Sequence, residues 1–492
     1  MSVLAIDAGT TGVTALIVTD DGQVTSRGYS EFSQYFPDPG WVEQAPEEIW
    51  DAVLSACGAA LAGCPDSEPV TCVGITNQRE TAVLWDRTSL KAPCRAIVWQ
   101  DRRTASICSE LREAGHEPAV AALTGLRLDP YFTATKLTWL SRHVPSVWDG
   151  VVCGAVVVGT VDSYLIARLT GGARHVTDAS NASRTLLFDI SAGQWSSELC
   201  ALFGVPAEAL PSVVPSWGLL GTTDPSAFLG LSVPIAGVAG DQQAALFGQA
   251  CFAPGSSKCT YGTGSFVLSN TGSSVVRSEA GLLSTVAWMA PSGDLTYALE
   301  GSVFVTGSAV QWLRDGLGLL HSAAESESLA LSVPDSGGVV FVPALTGLGA
   351  PDWDPDARGA IFGLTRGVTA GHLARATLEA IAFEVRDVVD GFPWALGDTV
   401  LRVDGGACVN NLLMQIQADQ LQVPVERPAV AETTGLGAAF LAGLGTGVWS
   451  STSELEQTWR LDRRFSPGTR DEAAHRRWRE GVRRSLGWAG HV

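Results

Sequence analysis

Lysine is nearly missing from this chain. Only Lys91, Lys136 and Lys258 occur among its 32 basic residues, and the predominance of arginine reads as a coding bias. Positive charge is scarce altogether: 51 acidic residues leave a formal net charge of −19 and a pI near 4.8, a surface that repels phosphate backbones and excludes nucleic acid as a partner. The cysteines are scattered, with no C-x-x-C and no Cys/His cluster at zinc spacing, so no structural metal is expected and the pattern suits a reduced, cytoplasmic setting. No apolar run approaches the roughly 18 residues of a membrane helix. The start, MSVLAIDAGTTG, has no basic region and meets a carboxylate at Asp7, so neither membrane insertion nor a signal peptide is expected. There is no Gly-Lys dipeptide, which excludes a Walker A loop, and no G-x-G-x-x-G between strand and helix, which disfavours a dinucleotide fold. Any phosphate bound here has to be held locally.

What the chain does have is apolar mass. Hydrophobic residues make up 46% of its 492 positions, ample for the two domains that such a length implies. The stretch Pro234 to Phe266 organises the rest. A Gly-interrupted apolar run ends at Asp241, and an apolar segment opened by two glutamines follows as a helix, so a carboxylate stands where a buried strand stops. Residues 257–270 then read as a β-hairpin with Gly262-Thr263-Gly264 at its tip, presenting backbone N–H groups. A negatively charged base beside an anion-holding loop is the pairing that phosphoryl transfer needs. Either piece alone reads more readily as a helix-capping Asp or an ordinary turn, and the pairing needs matching pieces elsewhere.

The same plan opens the chain. Residues 3–18 are two β-rich runs around Gly9-Thr10-Thr11-Gly12, so two matching hairpins, one opening each half, form an internal pseudo-repeat that suggests a nucleotide clamped between domains. Pro46 opens a helix carrying Glu47 and Glu48 in its first turn. Residues 70–86 hold two strands separated by Asn77-Gln78-Arg79-Glu80-Thr81. Arg79 and Glu80 at strand ends can hold vicinal hydroxyls by charge-assisted hydrogen bonds, or form a surface ion pair. Residues 299–313 read as a helix with small residues at Gly307 and Ser308, and 372–389 as an amphipathic helix. A Gly pair precedes the helix after 401–411, 432–444 is a small-residue helix suited to tight packing, and the Arg-rich 459–484 reads as one solvated helix.

Taken together, DAGTTG, PGWVEQ, GITNQRET, AIVWQDRRT, LDPYFTATKLTWL, GTVDSYLI, DASNASRTLLFDI, AGDQQAALFGQ, YGTGSF, YALEGSVF, TGLGAPDWDPDARGAIFGLTRG and VDGGACVNN resemble, in order and nearly end to end, the FGGY carbohydrate kinases of the actin-like ATPase superfamily. NQRET, AIVWQ and AGDQQAALFG resemble its glycerol-specific branch. The resemblance implies an α/β protein of two ribonuclease H-like domains, 1–250 and 251–492, around a central cleft, the first binding the polyol and the second the nucleotide. It implies ATP-dependent phosphorylation of glycerol with Asp241 as general base. Arg79, Glu80, Tyr131 and Gln242 would bind hydroxyls, while Trp99 and Phe266 line the carbon side. Asp7 would organise Mg²⁺ through water; Thr10, Thr11 and Gly12 would meet the phosphates of ATP. Thr263 and Gly307 would face the nucleotide from the second domain, with Gln311, Gly406 and Asn410 nearer adenosine. Family tendency implies a homodimer or homotetramer.

Two positions depart from the family pattern. Thr14 stands where an arginine commonly reaches toward the nucleotide phosphates, and GLSVPI, before the strand leading to Asp241, lacks the arginine of members inhibited by fructose 1,6-bisphosphate, so that inhibition is expected to be weak or absent. The competing activities are phosphorylation of another small polyol or ketose, such as dihydroxyacetone or erythritol, and a non-catalytic nucleotide-binding regulator.

Overall fold

The computed structural model describes residues 1–64, 69–393 and 399–491. A six-stranded sheet is built from β1 (Ser2–Ala8), β2 (Gly12–Thr19), β3 (Val24–Glu31), β4 (Val70–Asn77), β5 (Trp217–Thr222) and β6 (Pro234–Gly240), in the order β5-β6-β4-β1-β2-β3. A seven-stranded sheet holds β7 (Ser257–Tyr261), β8 (Ser265–Gly272), β9 (Leu283–Met289), β10 (Leu295–Val303), β11 (Leu401–Asp404), β12 (Val425–Pro428) and β13 (Leu461–Phe465), in the order β9-β10-β8-β7-β11-β12-β13.

The two sheets repeat one plan. In the first, β3-β2-β1 is an antiparallel meander and β1-β4-β6 runs parallel. In the second, β10-β8-β7 is the antiparallel meander and β7-β11-β12 the parallel run. The pseudo-repeat visible in the two Gly/Thr hairpins therefore extends through five strands of each sheet, and both tips fall at corresponding places.

β1 reads as continuously apolar because both its faces are covered. Leu4, Ile6 and Ala8 pack toward Ile49, Trp50 and Val53 of helix α1 (Pro46–Ala62), while Val3 and Ala5 face the opposite layer. That opposite layer contains α2 (Asp241–Gly248), whereas α3 (Gly307–Asp315), α4 (Ala370–Asp390) and α5 (Asn411–Leu421) belong to the second half. In the second sheet Val267, Leu299, Leu401 and Val403 bury against Leu378, Ile381 and Val385 of α4. Helix α6 (Thr433–Thr446), late in the sequence, crosses back to lie on the first sheet beside α2. Its small residues explain how close it comes: a Cβ at Gly437 would stand 1.8 Å from the carbonyl oxygen of Ala244. Gly437→Ala is expected to destabilise by about 1–3 kcal/mol through overpacking, read as a lowered denaturant midpoint.

Two segments differ from the sequence expectation. Residues 299–303 continue β10, and the helix begins only at Gly307; a short apolar run does not by itself separate strand from helix, and here both edges of β10 are paired. The Arg-rich tail is a strand, β13, followed by helix α7 (Glu472–Ser485), with Pro467 and Gly468 between them. α7 is docked, with buried Trp478 donating to the carbonyl of Phe341 at 3.1 Å. Among the described residues no helix is long and apolar enough to cross a membrane.

Candidate active site

The two hairpin tips meet across a cavity of about 160 Å³, well below the roughly 300–1,000 Å³ of pockets for drug-sized ligands. The first half contributes Thr10, Arg79, Glu80, Trp99, Tyr131, Asp241 and Gln242; the second contributes Thr260, Gly262, Thr263, Gly264 and Phe266. β6 is a parallel strand, and its carboxyl end is where open α/β sheets place their chemistry. Gly240 ends the strand and Asp241 is the first helical residue of α2. A Cβ at 240 would stand 2.6 Å from Cδ of Arg79, so any side chain there would displace that arginine.

A buried charge network underlies the side of the cavity formed by Arg79, Glu80 and Asp241. Arg79 Nε lies 3.2 Å from Asp241 Oδ1, and its two terminal nitrogens donate to Glu300 at 2.6 and 2.9 Å. Arg184 donates to Glu80 at 2.7 Å and to the same Glu300 at 3.0 Å. Arg79 also reaches the Tyr131 hydroxyl and Gln243. Burial acts to raise the Glu300 carboxyl, but Arg184 and Arg79 overrule it and hold the pKa at about 2. Asp241 goes the other way: burial raises its proton affinity, against the pull of Arg79 and Lys258. A carboxylate made more basic yet kept in place by a guanidinium suits a general base.

Glu80 sits at φ +63°, left-handed for a non-glycine residue, a conformation that clusters at functional sites. Lys136 fastens that turn from behind, its ammonium donating to the carbonyls of Tyr131, Phe132 and Glu80 at 2.6, 3.2 and 3.3 Å. Trp99 stands edge-on to both Tyr131 and Phe266, with ring centroids 5.6 and 6.3 Å away, and its indole donates to the Thr10 hydroxyl at 2.9 Å. The rings of Trp99, Tyr131 and Phe266 and the polar groups of Arg79, Glu80, Tyr131 and Gln242 thus surround one small space.

At the hairpin tips, Gln44 and Gln78 donate to the carbonyls of Thr10 and Gly9, holding the first tip from behind. The second tip is tied to α3: Thr306 and Ser308 N–H groups donate to Thr263, and that of Gly307 to Gly262. Gln311 is exposed one helical turn beyond Gly307. Thr11, Gly12 and Thr14 lie on the first hairpin outside the cavity wall, Thr14 directly opposite Asp7. Asn410 caps α5 through the N–H of Leu413 at 2.9 Å, and Gly406 lies in the turn just before it. Asp7 is half-buried at the end of β1; burial and the neighbouring Asp241 push its pKa to about 7. Two carboxylates repelling one another fit a hydrated Mg²⁺, which takes one or two carboxylates plus substrate phosphates. Among the described residues no cluster of three or more acidic, His or Cys ligands forms a closed cage.

Beyond Trp99 the crevice opens into a cleft of about 890 Å³ between the halves. Arg102 reaches over Phe304 there, and Arg127 over Trp353, at 5.3 and 5.8 Å. Glu300, Arg184, Gln243 and Lys136 lie within the resembling motifs and Lys258 just outside them, but the sequence reading gives none of the five a role in the site. Two of these carried a readable signal, since Glu300 interrupts an apolar strand and Lys258 a half-apolar hairpin, where an unpaired charge does not stay.

The chain matches models of the N-terminal domain of the FGGY family of carbohydrate kinases over residues 2–248 and of its C-terminal domain over 257–446. It is 55% identical over 492 residues to a glycerol kinase of Aromatoleum aromaticum, covering 99% of each chain. Its structure is similar to that of Plasmodium falciparum glycerol kinase with ADP (TM-score 0.88, 34% identity, 99% and 98% of the two chains). It is also similar to a xylulose kinase of Rhodospirillum rubrum (TM-score 0.83, 27% identity, 98% and 97%). Sequence, duplicated sheets and cleft agree: the chain belongs to the FGGY family of carbohydrate kinases.

Proposed function

We propose that the protein transfers the γ-phosphoryl group of ATP to a terminal hydroxyl of glycerol, giving sn-glycerol 3-phosphate and ADP. The observation that carries this reading is the shared cavity: Asp241 stands in it with hydroxyl-binding groups on one side and both hairpin tips on the other. Arg79, Glu80, Tyr131 and Gln242 hold the hydroxyls, and Trp99 and Phe266 cover the carbons. Asp241 takes the hydroxyl proton as that oxygen bonds to phosphorus and the bond to the ADP oxygen breaks. Thr10, Thr11, Gly12, Thr14, Thr263 and Gly307 face the phosphates; Gln311, Gly406 and Asn410 lie toward adenosine. Asp7 would hold Mg²⁺, which when bound would supply charge neutralisation at the phosphates. The first domain ends near residue 250, with α6 as a return crossing, and the protein works in the cytoplasm as a homodimer or homotetramer.

The relatives named above favour glycerol, and the cavity's size supports it over a larger sugar. A coupled assay with MgATP and a panel of glycerol, dihydroxyacetone, erythritol and xylulose is expected to give the highest kcat/KM with glycerol. A higher value with any other member replaces glycerol as the substrate.

A further inference from the structure

Of the three lysines, two are buried at the site: Lys136, already described, and Lys258, whose side chain is fully buried on β7. In a chain that otherwise uses arginine almost throughout, an ammonium at an interior position is a choice of shape. It is a compact point donor, whereas a guanidinium is a wide planar fork.

We infer that Lys258 is a positioning residue for the transfer reaction, clasping the polyol-binding helix of the first half to the phosphate hairpin of the second. The inference rests on the proposed phosphotransfer at Asp241. Lys258 Nζ donates to Gln242 Oε1 at 2.5 Å and to Thr260 Oγ1 at 2.7 Å. Gln242 is the second residue of α2, next to Asp241, and Thr260 lies two residues along β7 on the same face as Lys258. Both acceptors line the cavity. A single buried cation therefore ties the Gln242 side chain, next to Asp241, to the strand that leads into the second hairpin tip, and holds the two halves' contributions to the cavity in one alignment. Asp404 and Asp241 attract this ammonium and Arg79 opposes it. Removing the ammonium frees the Gln242 amide to turn away and leaves Thr260 without its donor.

The test compares full-length wild type with Lys258→Met, Lys258→Arg and, at an exposed position remote from the site, Lys91→Arg. Steady-state kcat, both KM values and the thermal midpoint are measured for each. Lys258→Met is expected to lower kcat/KM for glycerol roughly 10–100-fold, the loss of charge-assisted hydrogen bonds, while KM for ATP stays within about twofold. Lys258→Arg is expected not to restore it, and Lys91→Arg to match wild type. Wild-type kinetics in Lys258→Met, full rescue by arginine, or equal losses for both substrates with a lowered thermal midpoint overturns the inference. Should Lys258→Met fail to fold, Thr260→Val removes one acceptor and is expected to show the same glycerol-selective loss at smaller size; an unchanged Thr260→Val then counts against the clasp. Wild type inactive on every polyol sinks the proposed function and this inference with it, whereas active wild type with an unchanged Lys258→Met sinks this inference alone.

Discussion

Asp241→Asn is expected to lower kcat for glycerol phosphorylation by about 10²–10⁴-fold, the usual contribution of a positioned general base, with KM for ATP little changed. Asparagine keeps the size of the side chain and can still sit 3.2 Å from Arg79 Nε, but it accepts no proton as the hydroxyl oxygen attacks. The residual rate reflects alignment by the cavity and charge neutralisation at the tips, which do not depend on this oxygen. Wild type should also lose activity as pH falls through the raised pKa of Asp241, since the protonated carboxyl no longer serves as base. That limb should be absent from the residual activity of the asparagine variant. Parental kcat in Asp241→Asn sinks the assignment of the base.

The local chemistry of this site was legible because it follows the chain. A carboxylate at the end of an apolar run, a Gly/Thr tip between two strands and a polar quintet between two others are short-range patterns, and they fell on β6, the two hairpins and the turn at Glu80. The duplication was also visible from the tips, although the shared strand order needed the pairings. What could not be read was contact between distant segments. Glu300 is 221 positions from Arg79, and nothing near either residue names the other. The strand at 299–303 looked helical because its apolar run is short and its partners β8 and β9 lie elsewhere in sequence. The arginines of the tail suggest a solvated helix, yet Arg386–Glu472 and Arg479–Asp387 pairs and the Trp478 indole bind α7 to the second half. Charge content gave the exposed face of that helix and hid its docked one.

The largest effect on stability is expected from Glu300→Ala. Glu300 comes from the second half, is fully buried, and receives three charge-assisted hydrogen bonds from two arginines of the first half. Removing it leaves Arg79 with Asp241, Gln243 and the Tyr131 hydroxyl and Arg184 with Glu80, but each guanidinium then has a buried N–H whose carboxylate acceptor is gone; Arg184 Nη1 already has none. Breaking one member out of such a network costs about 3–5 kcal/mol, more than the intact network is worth relative to an apolar replacement. The expected result is a markedly lower denaturant midpoint for Glu300→Ala, with a smaller loss for Glu300→Gln, which keeps the shape and one acceptor oxygen. Proton linkage separates charge from packing. The folded pKa of about 2 lies below the ordinary 4.5, so Glu300 contributes its full stabilisation above about pH 4.5, on the order of 3 kcal/mol, and loses it as pH falls toward 2. The gap in stability between wild type and Glu300→Gln should therefore narrow between pH 5 and pH 3. A gap that stays constant across that range means that the carboxylate acts through shape alone, and that the two halves are not joined by its charge.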